Sequence, residues 1–261
     1  MADYRKPIKF IKKLEGDLSR AKTDSAYNSC QSGCNATHKG ITASDWHTKR
    51  GVTHCTFDSW ADKKGIPQSQ RCDMFINMSD DTWADIWKTM FWDKAKADEI
   101  KSQAIAEYLV NAKWGNPSTA NRFLEAALQA NGYSSANAND IDSLVSNVNK
   151  IDSNAKELKV FNDMVDARVA WLRSLSGANS NKGWFKRQES FRKRGKALIK
   201  SKRGAASKAL YSAYGLVDSD YRTFVGDEQE ENNYNLNIRL VTGVILTGTL
   251  LYLGFKAFNK K

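Results

Sequence analysis

Glu15 and Asp24 precede the segment Thr37-His38-Lys39-Gly40-Ile41-Thr42. Two carboxyls followed by a threonine and a glycine turn suit glycoside cleavage. One acid protonates the departing oxygen, while the other steadies the cationic sugar or orients water. Glu15 must then be held in a partly dry setting. Ile8, Ile11, Leu14 and Leu18 fall at roughly helical spacing, which predicts an amphipathic helix docked on a core, with Glu15 emerging at a glycine-terminated end beside Gly16. Dehydration and the negative pole of the helix both disfavour the charged carboxylate and raise its pKa, as a general acid needs. An ordinary surface glutamate before a glycine cap shows the same local pattern.

The surrounding order of motifs narrows the choice. Glu15-Gly16-Asp17-Leu18, Asp24 and Thr37-His38-Lys39-Gly40-Ile41-Thr42 are followed by Met78-Ser79-Asp80-Asp81-Thr82-Trp83-Ala84-Asp85-Ile86-Trp87 and then by Phe91-Trp92-Asp93. Val110-Asn111-Ala112-Lys113-Trp114-Gly115, Arg168 and Gly183-Trp184-Phe185-Lys186-Arg187 come later. In this order the chain resembles the muramidases of glycoside hydrolase family 108, whose elements are Glu-Gly-Gly-aromatic, Asp, a glycine-threonine turn, an acidic helix ending in Tyr-Trp-Asp, and a terminal Gly-Trp-x-x-Arg. Asp17 stands in place of the second glycine and Leu18 in place of the aromatic. Residues 25–36 replace the Gly-Gly pair before the threonine with a longer stretch.

The resemblance implies a lysozyme-like N-acetylmuramidase with a peptidoglycan-binding domain, of the phage endolysin or secretion-associated type. It implies Glu15 as general acid, Asp24 as the group that orients water or steadies the oxocarbenium ion, and Thr37 as a further holder of that water. The expected substrate contacts are Asp17, Tyr27, His38, Gly40, Thr42, Trp92 and Asn111. Neither a metal nor a cofactor is expected, and peptidoglycan is the expected partner. A catalytically degenerate wall-binding or membrane-anchored structural protein is the alternative that Asp17 and the altered loop suggest.

The elements that must position these residues read as mainly α: a lysozyme-like α+β arrangement with a minor β-hairpin, plus a C-terminal hydrophobic helix. Ser79 is the expected N-cap of a helix with Asp80 and Asp81 in its first turn, burying Trp83, Ile86, Trp87, Met90 and Phe91. Residues 102–114 read as a helix stopped by Gly115, and Asn116-Pro117 as the start of the next. That second helix buries Ala120, Phe123, Leu124, Ala127 and Leu128 and stops at Gly132. Residues 152–175 form a longer helix with Leu158, Phe161, Val165, Val169 and Leu172 on one side. Any sheet is expected between residues 17 and 42. The organisation expected is a catalytic domain over 1–96, a helical peptidoglycan-binding-like domain over 97–195, a basic then acidic linker over 196–235, and a transmembrane or docking helix over 236–258.

Charge is localised within the 261 residues. Lys182, Lys186, Arg187, Arg192, Lys193, Arg194, Lys196, Lys200, Lys202, Arg203 and Lys208 face the single acid Glu189, and they account for nearly the whole net charge of +11. Residues 182–208 are therefore expected to meet anionic polymers or lipids. No helix-turn-helix, zinc-finger or RNA-recognition signature accompanies them, so specific nucleic-acid binding is not expected. Leu240 to Phe255 carry no charge, and with Arg239 and Lys256 snorkelling the apolar run over 238–258 is long enough for membrane contact. The lysines after it favour a short cytoplasmic tail with the body facing the periplasm or wall. The amino-terminal residues show no long apolar run after their basic residues. Export is thus expected to come from the tail, another machine or lysis, as for a virion-associated protein or one made in an infected host cell. Cys30, Cys34, Cys55 and Cys72 allow two disulfides in three pairings, a thiolate and imidazole metal site with His38 and His54, or free thiols.

Overall fold

The computed structural model describes residues 1–16, 48–178 and 180–200, with the backbone alone at 18–19, 37–38 and 41–42. It divides into two compact units, residues 1–101 and 102–261. The described residues of both are mostly helical.

The first unit opens with α1, Arg5–Leu14, which buries Pro7 and Ile11. Five two-residue strands follow: β1 (Leu18–Ser19), β2 (Thr37–His38), β3 (Ile41–Thr42), β4 (Thr48–Lys49) and β5 (Val52–Thr53). They form a three-stranded antiparallel sheet in the order β1-β4-β5 and a separate β2-β3 hairpin. The β structure thus extends past Thr42, the limit expected from sequence, to Thr53. Its last turn is Arg50-Gly51, with φ of +50° and +75°. A two-residue hairpin turn with both central residues left-handed matches the right-handed twist of the strands it joins, and usually recruits Asn-Gly. Here Arg50 takes the first position. Its carbonyl accepts from the Trp83 indole N–H at 2.9 Å, and its guanidinium reaches Asp80 at 2.5 Å, so its surroundings hold the strained backbone in place.

Among the described residues, three more α-helices follow in this unit. Thr53 caps α2 (His54–Lys63) by accepting from the Thr56 amide. Helix α3 spans Gln68–Ile76 and α4 spans Asp80–Trp87. Ser79 caps α4 as its sequence predicts, accepting from the Thr82 N–H at 3.1 Å, with Asp80 and Asp81 in the first turn. Trp83, Ile86, Trp87 and Met90 are buried, while Phe91 stays partly accessible because α4 widens into a π turn over Lys88–Trp92 and changes the facing of later residues.

The second unit is a helical bundle of α5 (Gln103–Gly115), α6 (Ala120–Ala130), α7 (Ile141–Asn149), α8 (Asn154–Arg173) and α9 (Lys182–Lys200). Ser102 and Ser153 cap α5 and α8 through their hydroxyls. Helix α6 begins at Ala120 rather than at Asn116-Pro117. The Asn116 carbonyl instead accepts from the Thr119 and Ala120 amides, making a turn first. All five apolar residues expected inside α6 are buried. Along α8 the buried face is wider than the expected stripe, taking in Val160, Met164, Ala167 and Arg168 while Leu158 remains partly accessible. The core joins α5, α8 and α9 through Tyr108, whose ring meets Phe161 and Phe191 edge-on, each at 5.8 Å. Gly195 makes that approach possible. A Cβ there would lie 2.0 Å from the Phe161 ring.

Among the described residues no helix is long and apolar enough to cross a membrane. The expected span over 238–258 lies outside the described residues.

Candidate active site

Glu15 follows α1 directly. The helix ends because Glu15 turns extended, φ −93° and ψ 125°, while its amide still donates to the Ile11 carbonyl at 3.1 Å. This corrects the expected glycine cap. Gly16 is not left-handed, and a side chain there would meet nothing within 4 Å, so the bend comes from Glu15 itself. The Glu15 side chain is half-buried, and its Oε1 is shielded from solvent. Three residues later the chain enters β1, where Leu18 pairs with Lys49 and Ser19 with Thr48. Glu15 therefore sits at the junction between the end of α1 and the edge strand of a small sheet.

Ion pairs fix that junction. Asp80, at the start of α4, pairs with Lys12 of α1 and with Arg50 of the β4-β5 turn. The Lys12 ammonium first and the Arg50 guanidinium second hold the Asp80 carboxyl below its ordinary pKa. One acid thus ties the helix before Glu15 to the sheet after it. Sequence reasoning missed this clamp, since Arg50 and Asp80 are 30 positions apart. Behind it, Asp85 on α4 accepts from the Trp60 indole at 2.8 Å and pairs with Lys64 at 2.7 Å. Burial works against the charge of Asp85, but Lys64 and Trp60 together outweigh burial and lower its pKa.

Thr37, His38 and Thr42 belong to one hairpin, in which Thr37 lies opposite Thr42 and His38 opposite Ile41. Asp17, Asp24, Tyr27 and Gly40 lie outside the described residues, as do the side chains of Thr37, His38 and Thr42. Trp92, expected at the substrate surface, is instead fully buried, and its indole N–H donates to Asp98 at 2.6 Å. The widened turn over 88–92 carries it inward. Asn111 is likewise fully enclosed, in the second unit, where its Oδ1 accepts from Arg187 Nε at 2.8 Å. Neither side chain offers a face to a polysaccharide in this conformation.

Cys55 and Cys72 are both disulfide-bonded, and among the described residues no cysteine is free. Oxidised sulfur at Cys55 leaves no thiolate there for a metal. Cys30 and Cys34 lie outside the described residues. Part of the basic helix α9 turns inward: Arg192 pairs with Asp166 at 2.5 Å, and Arg194 grips the buried Glu107 at 2.6 and 3.1 Å. Lys182, Lys186, Lys193 and Lys200 are exposed.

Residues 8–116 match the family model described as Glycosyl hydrolase 108. The matched stretch includes Glu15, the β-hairpin and the capped helix α4. Among solved structures, that of Brucella abortus SagA superposes with a TM-score of 0.53 at 18% sequence identity, covering 78% of this chain and 97% of that one. At this identity the likeness establishes a shared fold. No curated protein sequence matches the chain.

Proposed function

We propose that the chain is a peptidoglycan hydrolase, an N-acetylmuramidase that cleaves the β-1,4 bond between N-acetylmuramic acid and N-acetylglucosamine. The observation that carries this reading is the half-enclosed Glu15 carboxyl at the helix-sheet junction, inside the stretch that matches a glycoside hydrolase family. Glu15 donates its proton to the glycosidic oxygen as the bond to the anomeric carbon breaks, and the positive charge that develops spreads over that carbon and the ring oxygen. A water then adds at the anomeric carbon and releases a proton, leaving a new reducing end on N-acetylmuramic acid. Asp24 is assigned to orienting that water or steadying the cation. Thr37 is assigned to holding it, and Asp17, Tyr27, His38, Gly40 and Thr42 to binding the sugar. The enclosed Oε1 supports this role, since a general acid in glycoside cleavage works from a site partly closed to water.

Purified sacculi provide the test. The parent protein clears a sacculus suspension and releases fragments whose masses and reduced ends identify N-acetylmuramic acid as the reducing sugar. Glu15→Gln, with an unchanged melting temperature, releases none at a comparable rate. Fragments ending in N-acetylglucosamine, or free stem peptides, would falsify the bond assignment. Equal clearing by Glu15→Gln would remove the acid from its role.

The apolar run over 238–258 supports a further part of the proposal, in which the tail holds the body at a membrane facing the wall and the basic residues of 182–208 meet anionic polymers or lipids there. Removing residues 240–261 is expected to abolish binding to uncharged vesicles, where the basic residues of 182–208 find no anionic lipid, and to leave the cutting of exposed wall intact.

A further inference from the structure

Helices α5, α8 and α9 of the second unit meet around a guanidinium that has too few acceptors. Arg168 of α8 is 4% exposed, and its Nε and Nη1 are shielded from solvent with no hydrogen-bond partner. No carboxylate among the described residues pairs with it. Burial lowers its pKa from the ordinary arginine value; the Tyr108 phenol opposes that shift, and the like-charged Arg187 adds to it. The Tyr108 ring lies 5.8 Å from the Arg168 Cζ. Asn111, bonded through Oδ1 to Arg187, has a buried Nδ2 that also lacks an acceptor.

Its neighbours show how this protein treats buried arginines. Arg192 has Asp166, and Arg194 has both oxygens of Glu107. Arg168 departs from that pattern, although a buried charge without a counter-charge is the least favourable arrangement in a protein interior. The guanidinium fits where it does because Gly115, at the exposed end of α5, has no side chain: a Cβ there would lie 2.9 Å from Arg168 Nη2.

We propose that this three-helix junction is an anion site occupied by a carboxylate, which accepts hydrogen bonds from Arg168 and from Asn111 Nδ2. Nε, Nη1 and Nδ2 supply donors to a group with two oxygens and about four acceptor positions, and Arg187 adds a second positive charge. A phosphate brings more oxygens than these donors satisfy. The inference does not rest on the hydrolase reading. The carboxylate has two possible sources, a free small acid or a carboxyl carried on a wall fragment, and both bring the same chemistry.

Thermal unfolding of the full chain separates the outcomes, with acetate compared against chloride and phosphate at matched ionic strength. A ligand that binds only the folded state raises the midpoint by about 3–6 °C at roughly ten times its dissociation constant. Acetate is expected to do so more strongly than chloride or phosphate, and Arg168→Met to lose the response. Should Arg168→Met fail to fold, Asn111→Leu and direct titration of carbon-labelled acetate by NMR take its place, with affinity weakened at least tenfold in the variant. A disaccharide-peptide wall fragment, offered with its carboxyls free or amidated, identifies the source. Tighter binding of the free-carboxyl form in competition with acetate assigns the site to the wall, and a response to acetate alone assigns it to a free acid. If no carboxylate binds, or Arg168→Met responds like the parent, ordered water fills the junction and the proposal is overturned.

Discussion

Each acidic or phenolic group here is defined by its surroundings more than by its type. Glu15 has one oxygen away from water at the end of a short helix, and its exchange for glutamine is expected to lower the rate of wall cleavage by about a hundred- to ten-thousand-fold, as loss of a positioned general acid does. Rates on sacculi, with circular dichroism as the check on folding, measure it. Tyr108 offers a second test. Burial pushes its phenol up to about 12, against the opposing pull of the Arg168 and Arg192 charges, whereas in an unfolded chain it titrates near 10. The folded value is the higher one, so the stabilisation is complete below a pH of about 10 and fades as pH climbs through about 12. Tyr108→Phe is expected to flatten that alkaline decline while costing about 1 kcal/mol at neutral pH for the lost bond to Gln188. Chemical denaturation across the alkaline range reads both effects.

At the scale of elements, close approach and cross-links between helices decide stability. Gly195→Ala places a methyl group inside the Phe161 ring volume, since the new Cβ would sit 2.0 Å from it. Prying α9 from α8 is expected to cost about 3 kcal/mol, seen as a lower denaturant midpoint. Asp85 joins α2 to α4 through Trp60 and Lys64. Its folded pKa is depressed, so its contribution is present above a pH of about 4 and lost as pH falls through the lower folded value. With the side chain 38% exposed, screening limits Asp85→Asn to about 0.5 kcal/mol at neutral pH. In acid the variant and parent should converge. What the sequence revealed at this scale was periodic and local: the Ser79 cap, the apolar spacing of α4 and α6, and the long run of α8. Helices α2 and α3 carried no comparable stripe, and Arg50 stood in a turn position that Asn usually occupies. Interactions across long separations were illegible for a simpler reason. Arg194 and Glu107 are 87 residues apart, and no local pattern announces such a pair, so the basic run of α9 read as a surface for anionic polymers or lipids when part of it faces inward. The same limit applies to Trp92, whose motif position suggested a sugar contact while the widened turn buries it.

Across the whole molecule the two units differ in what holds them. Both have packed aromatic rings, but the second adds buried arginine-carboxylate pairs, whereas the first has short strands, a clamp of partly exposed charges and disulfide-bonded Cys55 and Cys72. A reductant is therefore expected to destabilise the first unit by about 2–4 kcal/mol. Amide exchange should quicken in α2 and α3 and stay unchanged in α5 to α9. Salt should act on the same unit, because the Lys12-Asp80-Arg50 cluster is open to ions. Sulfur oxidation also makes the birthplace of the polypeptide matter. Thiols joined only in an oxidising setting record where the chain matured, so material harvested from a reducing cytosol and material harvested from outside it, identical in composition, would differ in toughness until air or an oxidase erased the difference.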